Sequence, residues 1–68
     1  MAQYFVNQNQ QVEGQHEIHV EGCEFLPFEK NLLELGGHTD CSSAIGVARS
    51  TFEEVNGCKH CCPDCHTT

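Results

Sequence analysis

The residues of this chain that can do chemistry are cysteines and histidines, and they fall in two clusters far apart in sequence. The C-terminal one is Cys58-Lys59-His60-Cys61, directly after Gly57. Two cysteines separated by two residues in a tight turn can turn both sulfurs to one ion, the usual half-site of structural zinc. The other half must come from elsewhere in the chain. His19-x3-Cys23 is the one remote cluster that offers two ligand types. His19, Cys23, Cys58 and Cys61 together make a tetrahedral set of three sulfurs and one nitrogen, with Cys65 as an alternative fourth ligand. The expected cofactor is therefore a structural zinc ion with no open coordination position.

The remaining thiols admit other readings. Cys62-Pro63-Asp64-Cys65 resembles the Cys-Pro-x-Cys of thiol oxidoreductases, but that chemistry needs the first cysteine at a helix N-terminus, where the dipole stabilises the thiolate. Three residues after Cys65 leave no room for such a helix. A second, looser metal site from Cys62, Cys65, His60 and His66 is one alternative, and a flexible tail over residues 62–68 is another. Cys41 is expected beneath the start of a helix. His16 shares a strand face with Ile18 and Val20 and reads as a hydrogen-bonded core histidine. A thiol-active protein working through Cys61, Cys62 or Cys65 lacks any base or acid that the sequence fixes beside them. A structural role is favoured over catalysis.

The elements that must position these clusters are short. Gln3–Asn7 reads as a strand, residues 7–15 as a polar hairpin loop, and His16–Val20 as a second strand alternating with period two. Gly22 breaks it just before Cys23. Phe25-Leu26-Pro27-Phe28 is an apolar turn, and Leu32–Leu35 is a candidate third strand closed by Gly36-Gly37. Ile45, Ala48, Phe52 and Val55 then fall at spacings of three, four and three, one helical stripe. Thr39, Asp40 or Ser42 can cap its start and Asn56-Gly57 its end. The expected fold is α+β: a two- to three-stranded antiparallel sheet packed on one helix, followed by a C-terminal cysteine knuckle, all in a single domain over residues 1–68.

Composition explains why such a fold needs a cross-link. In 68 residues, Leu, Ile, Val and Phe make up about a fifth of the chain, barely above the level at which disorder becomes the default. Chains of this size bury about 60% of their unfolded surface and usually add a disulfide, a metal or a partner. Six cysteines supply the means. With no basic or apolar export segment near Met1, the expected compartment is the cytoplasm, where thiols favour metal over disulfides. A disulfide-stapled scaffold is the alternative, with fifteen pairings open to six cysteines. Three basic against ten acidic residues give a net charge of −7, which opposes nucleic-acid binding. No apolar run is long enough for a membrane span. A protein partner is permitted by this composition but not indicated by it.

Two resemblances follow from these motifs. A ligand cluster after a hairpin (His19 to Cys23), a helix (Ser42 to Ala48) and then Gly57 to Cys61 resemble the zinc-binding domain of the Ada DNA-repair protein. In that family a zinc-bound cysteine takes a methyl group from a DNA phosphotriester. The present chain departs from it with His-x3-Cys in place of Cys-x3-Cys and with no basic surface, so the resemblance implies the zinc-stapled fold rather than the methyl transfer. The chain also resembles a group of short, uncharacterised bacterial Cys/His-rich proteins. That likeness rests on His16 to His19, Cys23 to Pro27, Asn56 to Cys61 and Cys65 to Thr67. It implies a compact single-domain protein.

Overall fold

The computed structural model describes residues 1–11 and 13–67. Among the described residues four strands form one sheet in the order β3-β1-β2-β4. They are β1 (Ala2–Asn7), β2 (His16–Val20), β3 (Leu32–His38) and β4 (Val55–Gly57), with one helix, α1 (Cys41–Ala48), between β3 and β4. β1 lies antiparallel to β2, pairing Phe5 with His19, and antiparallel to β3 on its other side. β4 runs parallel to β2, pairing His16 with Val55 and Ile18 with Gly57. The α+β class and the single helix are those expected; the sheet differs in having four strands and in being mixed rather than antiparallel.

The difference has a local cause at the end of the helix. The stripe Ile45, Ala48, Phe52, Val55 is not one helix face. α1 stops at Ala48, and the amides of Thr51 and Phe52 both donate back to the Ala48 carbonyl, closing a turn. Phe52 still packs on the core, stacking on the His16 ring at 3.9 Å, and Val55 begins a strand that packs there too. A helical spacing of apolar residues thus describes their common destination, while Ser50 and Thr51 give the backbone weak reason to stay helical. Asn56 and Gly57 end no helix; they pair with β2.

The third strand also runs further than Gly36-Gly37 suggested. It passes through both glycines to His38, with a register shift between Tyr4 and Phe5 of its partner. Gly36 takes φ 86° at that shift, a conformation side chains resist. The bulge turns Leu35 into the core, although Leu33 and Glu34 just before it are exposed.

One face of the sheet packs on α1. Tyr4, Val6, Ile18 and Leu35 meet Cys41, Ala44, Ile45 and Ala48, with Val20 and Phe52 at the margin. Asp40 caps the helix, its carboxylate accepting from the Ser43 amide at 3.1 Å. His16 is buried as expected, its Nδ1 2.9 Å from the Asn7 carbonyl oxygen. Among the described residues no helix is long and apolar enough to cross a membrane.

Residues 62–67 lie against β4. A disulfide joins Cys65, at the end of the 3-10 turn Pro63–Cys65, to Cys41 at the first position of α1. The Asn56 side chain accepts from the Thr67 amide at 2.9 Å, and His66 Nδ1 lies 2.9 Å from the Gly57 carbonyl oxygen. The turn closes so tightly that a Cβ on Gly57 would stand 2.8 Å from the Cys65 Cβ and 2.9 Å from the Cys62 oxygen. Gly57 is therefore required for this close approach, not for a helix end.

Candidate metal centre

Two neighbouring strands bring the distant clusters together. His19 is the fourth residue of β2, and β4, lying parallel beside it, leads directly into Cys58. The parallel ladder extends one step past the strand, where the Cys58 amide donates to the Ile18 carbonyl at 3.0 Å. Cys23 returns to the same place through a turn in which its amide donates to Val20 at 3.1 Å. Gly22 occupies the third position of that turn at φ 90°, where glycine is favoured. Cys61 follows from the knuckle, a tight loop held by the Cys62 amide on the Cys58 carbonyl at 2.7 Å.

The result is that the ligand atoms of His19, Cys23, Cys58 and Cys61 all lie within 4.8 Å of one another. The Cys23 and Cys58 sulfurs are 3.9 Å apart, and the Cys61 sulfur is 3.9 Å from His19 Nδ1. A tetrahedral zinc site with ordinary Zn–S and Zn–N bonds has edges of about 3.6–3.8 Å. Two of the separations are close to those edges, and the cluster could hold a metal ion.

The surroundings favour ligation as well. His19 Nε2 lies 3.3 Å from the Glu17 carboxylate, two residues earlier on the same face of β2. That contact places the ring proton on Nε2 and leaves the Nδ1 lone pair directed at the sulfurs, the arrangement by which carboxylates orient metal-binding histidines. Burial lowers the pKa of His19, keeping the imidazole neutral as a ligand must be. Burial pushes the Cys61 thiol well up, against the opposing influence of the Val20 amide, which donates to its sulfur at 3.4 Å. The Phe25 amide likewise donates to the Cys23 sulfur at 3.4 Å. Each of these amides offers a partial positive charge to a sulfur that would become a thiolate on binding a cation.

Cys65, the alternative fourth ligand, is not in this cluster. Its sulfur is bonded to Cys41, so it has no thiolate to offer. Nor are Cys62, Cys65, His60 and His66 gathered into a second site: among the described residues the one such group is that of His19, Cys23, Cys58 and Cys61. Cys62 stays a buried free thiol 3.8 Å from the Cys61 sulfur, and burial raises its pKa, which keeps it protonated. Sequence reasoning missed Glu17 and the Cys41–Cys65 bond. Glu17 could have been found from its period-two relation to His19. The disulfide could not, because no spacing rule links a helix start to a turn 24 residues on.

The fold and the cluster together define a small α+β domain with a three-cysteine, one-histidine group at metal-binding distances. No protein-family model, no curated protein and no solved structure matches the chain.

Proposed function

We propose that this protein is a small zinc-binding domain in which His19, Cys23, Cys58 and Cys61 hold one structural zinc ion. The observation that carries the reading is the fit of four converging ligand atoms, all within 4.8 Å, to the edges of a zinc tetrahedron. Sulfur-rich, four-coordinate sites favour zinc over the hard cations, which take oxygen ligands. The order of parts shared with the zinc-binding domain of Ada (ligand cluster, helix, Gly-Cys-x-x-Cys) supports the same choice. All four positions are filled by protein, so the ion fastens the end of β2 to the C-terminal knuckle. The net charge of −7 sets the surface against polyanions such as nucleic acid.

A second reading is favoured by one observation, the Cys41–Cys65 bond: a disulfide-stapled scaffold in an oxidising compartment. The two readings are compatible, because the disulfide uses none of the four cluster residues. Native mass spectrometry of protein purified without chelator tests both. Zinc adds a native excess of about 63 Da over the acid-denatured mass, since the ion displaces two protons. Substituting Cys23→Ser or Cys58→Ser abolishes that excess. A metal-free mass from a folded protein overturns the zinc reading, and six free thiols in the unreduced protein overturn the disulfide.

A further inference from the structure

The four cluster residues are not equally shielded. Cys58 and His19 are 1% and 2% exposed, whereas Cys23 and Cys61 are half-buried. Those two residues line a surface cavity of about 270 Å³, together with Glu24, Phe25 and His60. At about 30 Å³ per water, a cation with six waters needs roughly 180 Å³, so the cavity admits a hydrated divalent ion whole. The donors differ in kind with their exposure. Glu24 and His60, a carboxylate and an imidazole, are exposed, whereas the thiol-bearing Cys23 and Cys61 are half-buried.

His60 lies between the two knuckle cysteines in sequence, yet it is exposed and stands outside the four-residue group. Its ring stacks on Phe25 at 4.1 Å with planes 26° apart. Phe25 belongs to the Cys23 loop and its amide donates to the Cys23 sulfur, so the stack spans the cavity between the two ligand-bearing loops. The stack holds the exposed His60 ring at the cavity, where an imidazole can serve a cation arriving from solvent as a ligand. Oxygen and imidazole donors accept a hydrated ion readily, and sulfur then retains it.

We propose that this cavity is a loading site for a hydrated divalent cation, in which Glu24 and His60 take the ion first and pass it to Cys61 and Cys23. The inference rests on the zinc reading of the inner cluster. In the first step a His60 nitrogen and a Glu24 carboxylate oxygen each bond to the ion, one water leaving for each. Cys61 and then Cys23 bond to the ion, each thiol proton passing to water, as the His60 and Glu24 bonds break in turn. The metal keeps its oxidation state throughout. Release follows the same path in reverse. A transient ligand lowers the barrier in both directions, so His60 changes rates without changing the equilibrium.

The test compares the wild type with His60→Phe, which keeps an aromatic ring to stack on Phe25 and removes the lone pair. Stopped-flow mixing with zinc gives the loading rate, transfer to excess chromogenic chelator gives the release rate, and competition titration gives Kd. Loading and release both slow about tenfold, which is about 1.4 kcal/mol of barrier, while Kd is unchanged. Glu24→Gln slows loading and release together and leaves Kd unchanged, because it removes the other transient ligand; unchanged rates there overturn the part assigned to Glu24. Unchanged rates in His60→Phe overturn the loading site while the zinc reading stands. A weakened Kd with intact loading also overturns it, since His60 would then act on the bound state. A wild type that takes up no zinc removes both readings together.

Discussion

Replacing Cys58 by serine separates the contribution of the metal from that of packing. Cys58 is the most deeply buried of the three cluster thiols, and its position is pinned by the Ile18 carbonyl. Two effects follow from Cys58→Ser. Placing a hydroxyl in a buried position without a sure partner costs roughly 1–3 kcal/mol whatever the metal content. Loss of a ligand removes the linkage stabilisation, which is about 4 kcal/mol when free zinc stands at about 1,000 times Kd. For a chain of this length the second effect alone is about 16–32 °C in Tm. The assay is thermal unfolding of wild type and variant, each with excess zinc and with excess chelator. The difference between the proteins is large in zinc and shrinks to the packing share in chelator. Chelator lowers the wild-type Tm by nearly the full linkage amount and barely moves the variant. An equal difference between the proteins in both solutions, or a wild-type Tm indifferent to chelator, refutes the reasoning.

Three further outcomes are expected. Glu17→Gln weakens zinc affinity about tenfold or more, because the His19 ring loses the charged acceptor that fixes its tautomer, while far-ultraviolet circular dichroism stays unchanged; an unaltered Kd removes Glu17 from the centre. Cys41→Ala with Cys65→Ala opens a cross-link between residues 24 apart and lowers stability by about 3.5 kcal/mol on chain-entropy grounds, read by denaturant unfolding at fixed zinc. Zinc affinity falls as pH is lowered through neutrality, by about tenfold per unit for each thiol proton that binding must expel. Burial raises the Cys61 pKa in the zinc-free protein, so this thiol is protonated there at neutral pH and its proton is among those released; isothermal titration in buffers of different ionisation heat counts them.

How much of this was legible in the sequence depends on the range over which each signal acts. The period-two pattern of His16–Val20 marked β2 and the burial of His16, because alternation records which side of a sheet is dry. The four residues of the cluster were named from spacing and ligand type alone, since a knuckle needs a remote partner and few positions qualify. Helical spacing misplaces the end of α1 because Phe52 and Val55 pack against the core at that spacing but from a turn and a strand, and side-chain burial does not report backbone form. β4 has three residues, too few for any period to declare itself, and its parallel pairing is decided by contacts with β2. Gly36 read as a stop because a glycine at a bulge and a glycine at a strand end look alike in sequence.

The Cys41–Cys65 bond has a topological consequence. Cys41 lies between Cys23 and Cys58 in the chain, and Cys65 lies beyond Cys61. Once the cluster holds its ion, the loop closed by the metal and the loop closed by the disulfide therefore interleave rather than nest. A protease that cuts anywhere from residue 42 to residue 57 produces two pieces joined twice over, and neither reduction alone nor chelation alone sets them apart.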